Sequence, residues 1–209
     1  MNIGTPASAG PRTPRSRSSI AGFLVILGAF FALSALPAPD SFKLALWVVV
    51  TTAAIWWFRI TGGLWLDPRH NVTSSLLRAF GLLLAAIVVL WGLAELLDLL
   101  FPSGSPSSYK SGLSSMSVPM VITVVGLRPV VEEVLFRGFL YDLLARRGTV
   151  VAVLGTTVLF SLSHWVGQQN AMYALTVLPL GLALGVLRAL SRGLATPTAF
   201  HIAMNAILT

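Results

Sequence analysis

The sequence contains no cysteine, and this absence excludes several kinds of chemistry. A chain without thiols cannot form disulfides, use a thiolate nucleophile, or bind zinc or an iron–sulfur cluster through cysteine. The sequence also lacks the Gly-x-Ser-Gly motif of serine nucleophiles and the His-Glu-x-x-His motif of zinc peptidases. Any hydrolytic chemistry must therefore use other residues.

Charged residues are also scarce in this chain. They make up 10% of its 209 residues, while 56% are hydrophobic and the mean hydropathy is +0.84. Soluble domains are about 25% charged, so the composition indicates a polytopic membrane protein. The net charge of +7 does not indicate nucleic-acid binding. Its basic residues stand mostly alone or in pairs at the ends of apolar segments, which is a signal of membrane orientation.

The apolar segments predict an all-α transmembrane bundle of about seven helices over residues 20–209. A disordered basic tail, Met1–Ser19, precedes it, because its Pro, Ser, Gly and Arg residues cannot bury a core. The predicted spans are Ile20–Leu36, Phe42–Ile60, Leu76–Phe101, Val118–Leu144, Val150–Val166, Ala171–Leu190 and Leu194–Leu208.

The first and last of these spans have unusual lengths. Ile20–Leu36 resembles the apolar part of a signal peptide but exceeds its usual length of about 7–15 residues, so we expect it to be retained. Leu194–Leu208, at ~1.5 Å per residue, is shorter than a ~30 Å hydrocarbon core. We expect that it ends inside the membrane or that the chain has been trimmed.

The arginines predict the orientation of the bundle. If the N terminus is cytoplasmic and the seven spans alternate, most arginines fall in cytoplasmic segments. The only basic residues in the outer segments are then Lys43 and Lys110. The sequence therefore predicts an integral protein of a bacterial-type plasma membrane with a cytoplasmic N terminus.

The fourth span, Val118–Leu144, carries Glu132, Glu133 and Arg137 within an apolar run. An ionised side chain at bilayer depth costs about 2.5–3.5 kcal/mol, so these groups must face protein or water. Glu133 and Arg137 lie four residues apart on one helix face, and Glu132 is rotated by about 100°. We expect Arg137 to orient one carboxylate while Glu132 faces a reaction centre. Pro129 should open local space and free a backbone carbonyl ahead of the pair.

Two further motifs lie on separate spans: Phe160-x-x-x-His164, and His201 one turn before Asn205. Each alone is consistent with a simple hydrogen-bonded helix contact. Counting ~1.5 Å per residue from flanking arginines places all three motifs in one layer at or beyond mid-membrane. Glu132, His164 and His201 could there ligate zinc, or a carboxylate could activate water without metal. The residues leave both alternatives open.

The three motifs in this order resemble the signature of the CPBP family. These are the CAAX-protease and bacteriocin-processing intramembrane proteases, also called the type II CAAX endopeptidase or abortive-infection family. The resemblance covers about residues 118–209, and the flanking Arg128-Pro129 and Phe136-Arg137-Gly138 agree with it. It implies a catalytic core that cleaves peptide bonds of a membrane-associated peptide or protein, with the lipid bilayer as surroundings.

The resemblance also implies a role for each residue. Glu132 is the general base that activates water, and His164 positions that water or binds metal. His201 and Asn205 complete the site by stabilising the oxyanion or ligating metal. Glu133 and Arg137 are the orienting pair. The family has been described both as metal-dependent and as metal-free glutamate peptidases, so Zn²⁺ remains one of two expectations.

Two other functions are compatible with the same spans. One is a non-proteolytic scaffold or immunity protein that binds a partner peptide on the same fold. The other is a small transporter or channel that uses Glu132 and Glu133 as a proton or cation site. The transporter hypothesis gives no role to His201 and Asn205.

Overall fold

A computed structural model describes residues 17–63, 65, 81, 92, 96, 99, 116–168 and 171–208. Apart from short connections, these residues are helical, and they contain no strand, as the composition predicts. Residues 1–16 of the predicted tail lie outside the described residues, as does the predicted span Leu76–Phe101 except for four isolated positions. The continuous described helices are α1 (Arg17–Ala35), α2 (Asp40–Ile60), α3 (118–147), α4 (Thr149–Gln168), α5 (Ala171–Ser191) and α6 (Ala195–Leu208).

Three stretches within these helices are long and apolar enough to cross a membrane: Asp40–Ile60, Thr149–Val166 and Met172–Ser191. A shorter apolar helix covers Ile20–Ala35. Large apolar side chains such as Leu24 and Val49 are exposed on the outside of the protein. Lipid tails solvate such a surface without penalty, so the described helices form an integral membrane bundle.

Helix α3 is the central helix of this bundle, and residues 131–139 are all buried. Its backbone alternates between α-helical and π-helical turns. The segments are Val118–Val121 (α), Ile122–Leu127 (π), Arg128–Glu133 (α), Val134–Leu140 (π), Tyr141–Leu144 (α) and Ala145–Arg147 (3₁₀). π-Helical turns are rare and occur frequently at functional sites. The adjacent glutamates end the short α segment between two such stretches.

Pro129 and the first π segment together leave one backbone carbonyl of α3 without a helical hydrogen-bond donor. The N–H of Arg128 donates to the carbonyl of Thr123, and Pro129 has no N–H to offer. The carbonyl of Val124 is therefore left without its α-helical or π-helical donor. Asn205 Nδ2 of α6 donates to that oxygen at 3.1 Å. A carbonyl without a helical donor thus lies ahead of the glutamates, as predicted, and Asn205 of α6 supplies its hydrogen bond.

Helices α4 and α5 pack closely because α5 carries glycines at the contact. A Cβ at position 185 would lie 3.2 Å from Val153 Cγ1 and 3.4 Å from its carbonyl oxygen. A Cβ at position 181 would lie 3.3 Å from Phe160 Cδ1. Gly181 and Gly185 thus permit close approach of the two backbones, as expected of small residues in membrane helices. The paired helices α4 and α5 lie against the face of α3 that carries Arg137.

Candidate active site

Glu133 and Arg137 form a fully buried ion pair along one face of α3. Arg137 Nη1 donates to Glu133 Oε1 at 3.0 Å, as their spacing predicted. His201 Nδ1 of α6 lies 3.0 Å from the same oxygen. Because a carboxylate oxygen in this pair only accepts, Nδ1 of His201 carries the hydrogen. The carboxylate of Glu133 therefore fixes both the tautomer and the orientation of His201.

Arg137 also connects α3 to the two helices behind it. Its Nη2 donates to the carbonyl of Gly181 at 3.0 Å, and its guanidinium lies 4.3 Å from the ring centroid of Phe160. Arg188 Nε in turn donates to the backbone carbonyl of Arg137 at 2.9 Å. These contacts hold the second π segment in place, and with it the pair that orients His201.

Glu132 has quite different surroundings from its neighbour. Its Oε2 lies 3.6 Å from His201 Nε2, and its Oε1 lies 3.7 Å from Arg128 Nη2. Both distances exceed hydrogen-bond range. Glu132 is only 4% exposed, yet it lines a cleft, so its carboxylate can accept hydrogen bonds from a molecule that enters. The structure thus separates a bound carboxylate, Glu133, from an available one.

His164 faces the same cleft from α4. Its Nδ1 lies 2.9 Å from the carbonyl of Phe160, and its ring lies against the Phe160 ring at 4.5 Å between centroids. A carbonyl only accepts, so Nδ1 carries the hydrogen, and in the neutral ring Nε2 keeps its lone pair. His164 can therefore accept a hydrogen bond from water through Nε2.

The cleft has a volume of ≈ 70 Å³. One water occupies about 30 Å³ in the liquid, so a hydrolytic water fits between the two helices. Helix α1 closes one side of this space. The lining residues are Phe30, Phe31, Ser34, Arg128, Glu132, Ser163 and His164.

Several of these lining residues were not predicted from the sequence. Arg128 entered the prediction only as a flanking residue that agrees with the family resemblance, although its spacing of four residues from Glu132 was a usable signal. Phe30, Ser34 and Ser163 carry no comparable signal, because only packing decides which side of an apolar helix faces a cleft. The predicted residues Glu132, Glu133, Arg137, His164 and His201 do lie together.

Asn205 lies one turn after His201 on α6, and its Nδ2 donates to the carbonyl of Val124. A role at the oxyanion stays a prediction. Among the described residues, no group of three His, Asp or Glu side chains is placed to hold a metal ion. Zinc binding by Glu132, His164 and His201 stays a prediction.

Residues 114–207 match the family model described as type II CAAX prenyl endopeptidase, Rce1-like. This segment of the chain is an Rce1-like domain, in agreement with the resemblance to the CPBP family, and it contains all six predicted site residues. Neither a curated protein nor a solved structure matches the chain. Because the family is one of peptidases, the match supports a membrane protease role.

Proposed function

We propose that the Rce1-like domain is an intramembrane endopeptidase that hydrolyses a peptide bond of a membrane-associated peptide or protein. The observation that carries this proposal is the shared cleft. Glu132 of α3 and His164 of α4 line one space with room for water. A carboxylate and an imidazole beside one water are the groups needed for general-base hydrolysis.

In this mechanism, Glu132 takes a proton from the water while the water oxygen attacks the carbonyl carbon of the peptide. A C–O bond forms, and the carbonyl oxygen becomes an oxyanion. Glu132 then gives the proton to the peptide nitrogen as the C–N bond breaks. His164 orients the attacking water by accepting its second hydrogen through Nε2.

We further propose that His201 and Asn205 complete the site. Glu132 Oε2 lies 3.6 Å from His201 Nε2, and Glu133 Oε1 lies 3.0 Å from its Nδ1, so the ring is held beside the carboxylate that activates the water. Glu133 and Arg137 act indirectly, by holding His201. The positive-inside pattern supports a cytoplasmic N terminus in a bacterial-type plasma membrane.

Chelators test the metal-free form of this proposal. Because the described side chains offer no group of three metal ligands, 1,10-phenanthroline and EDTA should leave the cleavage rate within about twofold of the untreated rate. The measurement is cleavage of a membrane-tethered fluorogenic peptide by the protein in liposomes. A loss of activity that Zn²⁺ restores would show that Glu132, His164 and His201 rearrange around an ion.

A His164→Ala variant tests the proposed function itself. Without Nε2 to orient the water, kcat should fall about 10²-fold or more, while KM changes little. The matched control is Trp165→Ala, which truncates an exposed ring on the adjacent residue of α4. If His164→Ala cleaves the tethered peptide at the wild-type rate, the hydrolytic site is misassigned. A wild-type protein that binds the peptide without cleaving it would favour the scaffold function instead.

A further inference from the structure

Arg128 is a cation beside the candidate active site that the proposed reaction does not use. Its Nε is buried and has no hydrogen-bond partner. Its nearest carboxylate, Glu132, lies 3.7 Å from Nη2, beyond hydrogen-bond distance. Buried donors normally find partners, because an unpaired polar group away from water is costly. Arg128 therefore forms a long ion pair with Glu132 and keeps unused donor capacity beside the cleft.

Two aromatic rings fix this guanidinium without using its N–H groups. The guanidinium carbon lies 5.5 Å from the ring centroid of Phe30 on α1 and 5.9 Å from that of Trp47 on α2. Cation–π contacts at these distances stabilise the charge and hold the plane of the group. The side chain is 27% exposed and lines the cleft.

Arg128 also lies where two clefts meet. A second cleft of ≈ 50 Å³ adjoins the first, and the two share Ser34 and Arg128. Lys43 adds a second positive charge to the second cleft, while the carboxylate of Asp40 there accepts a hydrogen bond from the Ser117 hydroxyl. A peptide that crosses the first cleft at Glu132 would next pass Arg128.

We propose that Arg128 is a carboxylate-binding subsite for the substrate, on the side of the scissile bond away from His164. The flat guanidinium presents paired donors that match the two oxygens of a carboxylate. The carboxylate is either the C terminus of the peptide or an Asp or Glu side chain close to the cleaved bond. This inference rests on the proposed peptidase function for its role in catalysis, but binding at Arg128 can be measured without cleavage.

Binding of defined peptides to the full-length protein in nanodiscs tests this subsite. The probes are N-palmitoylated peptides of Ala, Leu and Val with a C-terminal carboxylate, with a C-terminal amide, or with an amide and one internal Glu. One of the two carboxylate peptides should bind about 10- to 100-fold more tightly than the neutral amide, as expected for hydrogen bonds to a charged group. Which of the two binds identifies the source of the carboxylate.

Arg128→Gln should reduce this preference to about onefold, and Arg128→Lys should keep part of it, because lysine retains the charge but not the paired donors. Arg147→Gln is the matched control, since Arg147 is exposed at the end of α3. Where the peptide is cleaved, the effect of Arg128→Gln should appear in KM for the carboxylate peptide alone.

Two results would overturn the subsite. One is a carboxylate preference that survives in Arg128→Gln. The other is an equal loss of kcat for carboxylate and amide peptides with unchanged binding, which would show that Arg128 only supports Glu132. By contrast, Arg128-dependent binding with no cleavage by the wild-type protein would keep the subsite and reject the peptidase function.

Discussion

Glu132→Gln is expected to lower kcat for peptide hydrolysis by about 10²- to 10⁴-fold, the usual contribution of a general base. The amide has the size of the carboxylate but cannot take the proton of the attacking water. Glu132 lies 3.6 Å from His201 Nε2 and 3.7 Å from Arg128 Nη2, both beyond hydrogen-bond range, so the substitution breaks no hydrogen bond to either residue. The free energy of unfolding should therefore stay within about 1 kcal/mol of the wild-type value.

This experiment measures cleavage of a membrane-tethered peptide together with thermal unfolding in the same nanodiscs. Glu133→Gln supplies the contrast, because its carboxylate carries the hydrogen bonds from Arg137 and His201. We expect Glu133→Gln to lower both activity and stability, and Glu132→Gln to lower activity alone. A Glu132→Gln protein that cleaves within a few-fold of the wild-type rate would remove the proposed base from the mechanism.

Arg137→Met is expected to produce the largest loss of stability in the chain, about 3–5 kcal/mol. Both partners of the Arg137–Glu133 pair are fully buried, and Oε1 of Glu133 lies 3.0 Å from Nη1. Removing the guanidinium leaves an uncompensated carboxylate away from water, and it also frees the carbonyl of Gly181. The measurement is the unfolding midpoint in detergent or nanodiscs.

The double variant Glu133→Gln with Arg137→Met separates charge from packing. It removes the carboxylate charge that the single Arg137→Met variant leaves unpaired, so it should recover part of the lost stability. Arg147→Met is the control for the same change at an exposed arginine and should shift stability by less than about 0.5 kcal/mol. If the single and double variants have the same unfolding midpoint, the loss of stability arises from lost packing on Phe160 and not from buried charge.

Several helix bounds follow closely from the sequence. The predicted span Phe42–Ile60 is the helix Asp40–Ile60, and the predicted Ala171–Leu190 is the helix Ala171–Ser191. In lipid, each backbone N–H and C=O must be satisfied within its own helix, so length and hydropathy suffice to place a span. The pairing of Glu133 with Arg137 also follows from a local rule, the spacing of four residues.

The site itself depends on contacts that no local pattern contains. His201 reaches Glu133 across 68 positions of the chain, and Asn205 reaches Val124 across 81. The surroundings of Arg128 likewise depend on distant residues, because α1 and α2 place the rings of Phe30 and Trp47 against its guanidinium.

The sequence by itself determined that helices form and that polar motifs lie at similar depth, because rise per residue and backbone satisfaction are properties of each helix alone. The tertiary structure decided how each helix rotates about its axis, and hence that Glu132 faces the cleft while Glu133 faces His201. It also placed the π-helical turns of α3 around the glutamates. Helix rotation is set by close packing of side chains from several helices at once, so it cannot be read from one segment.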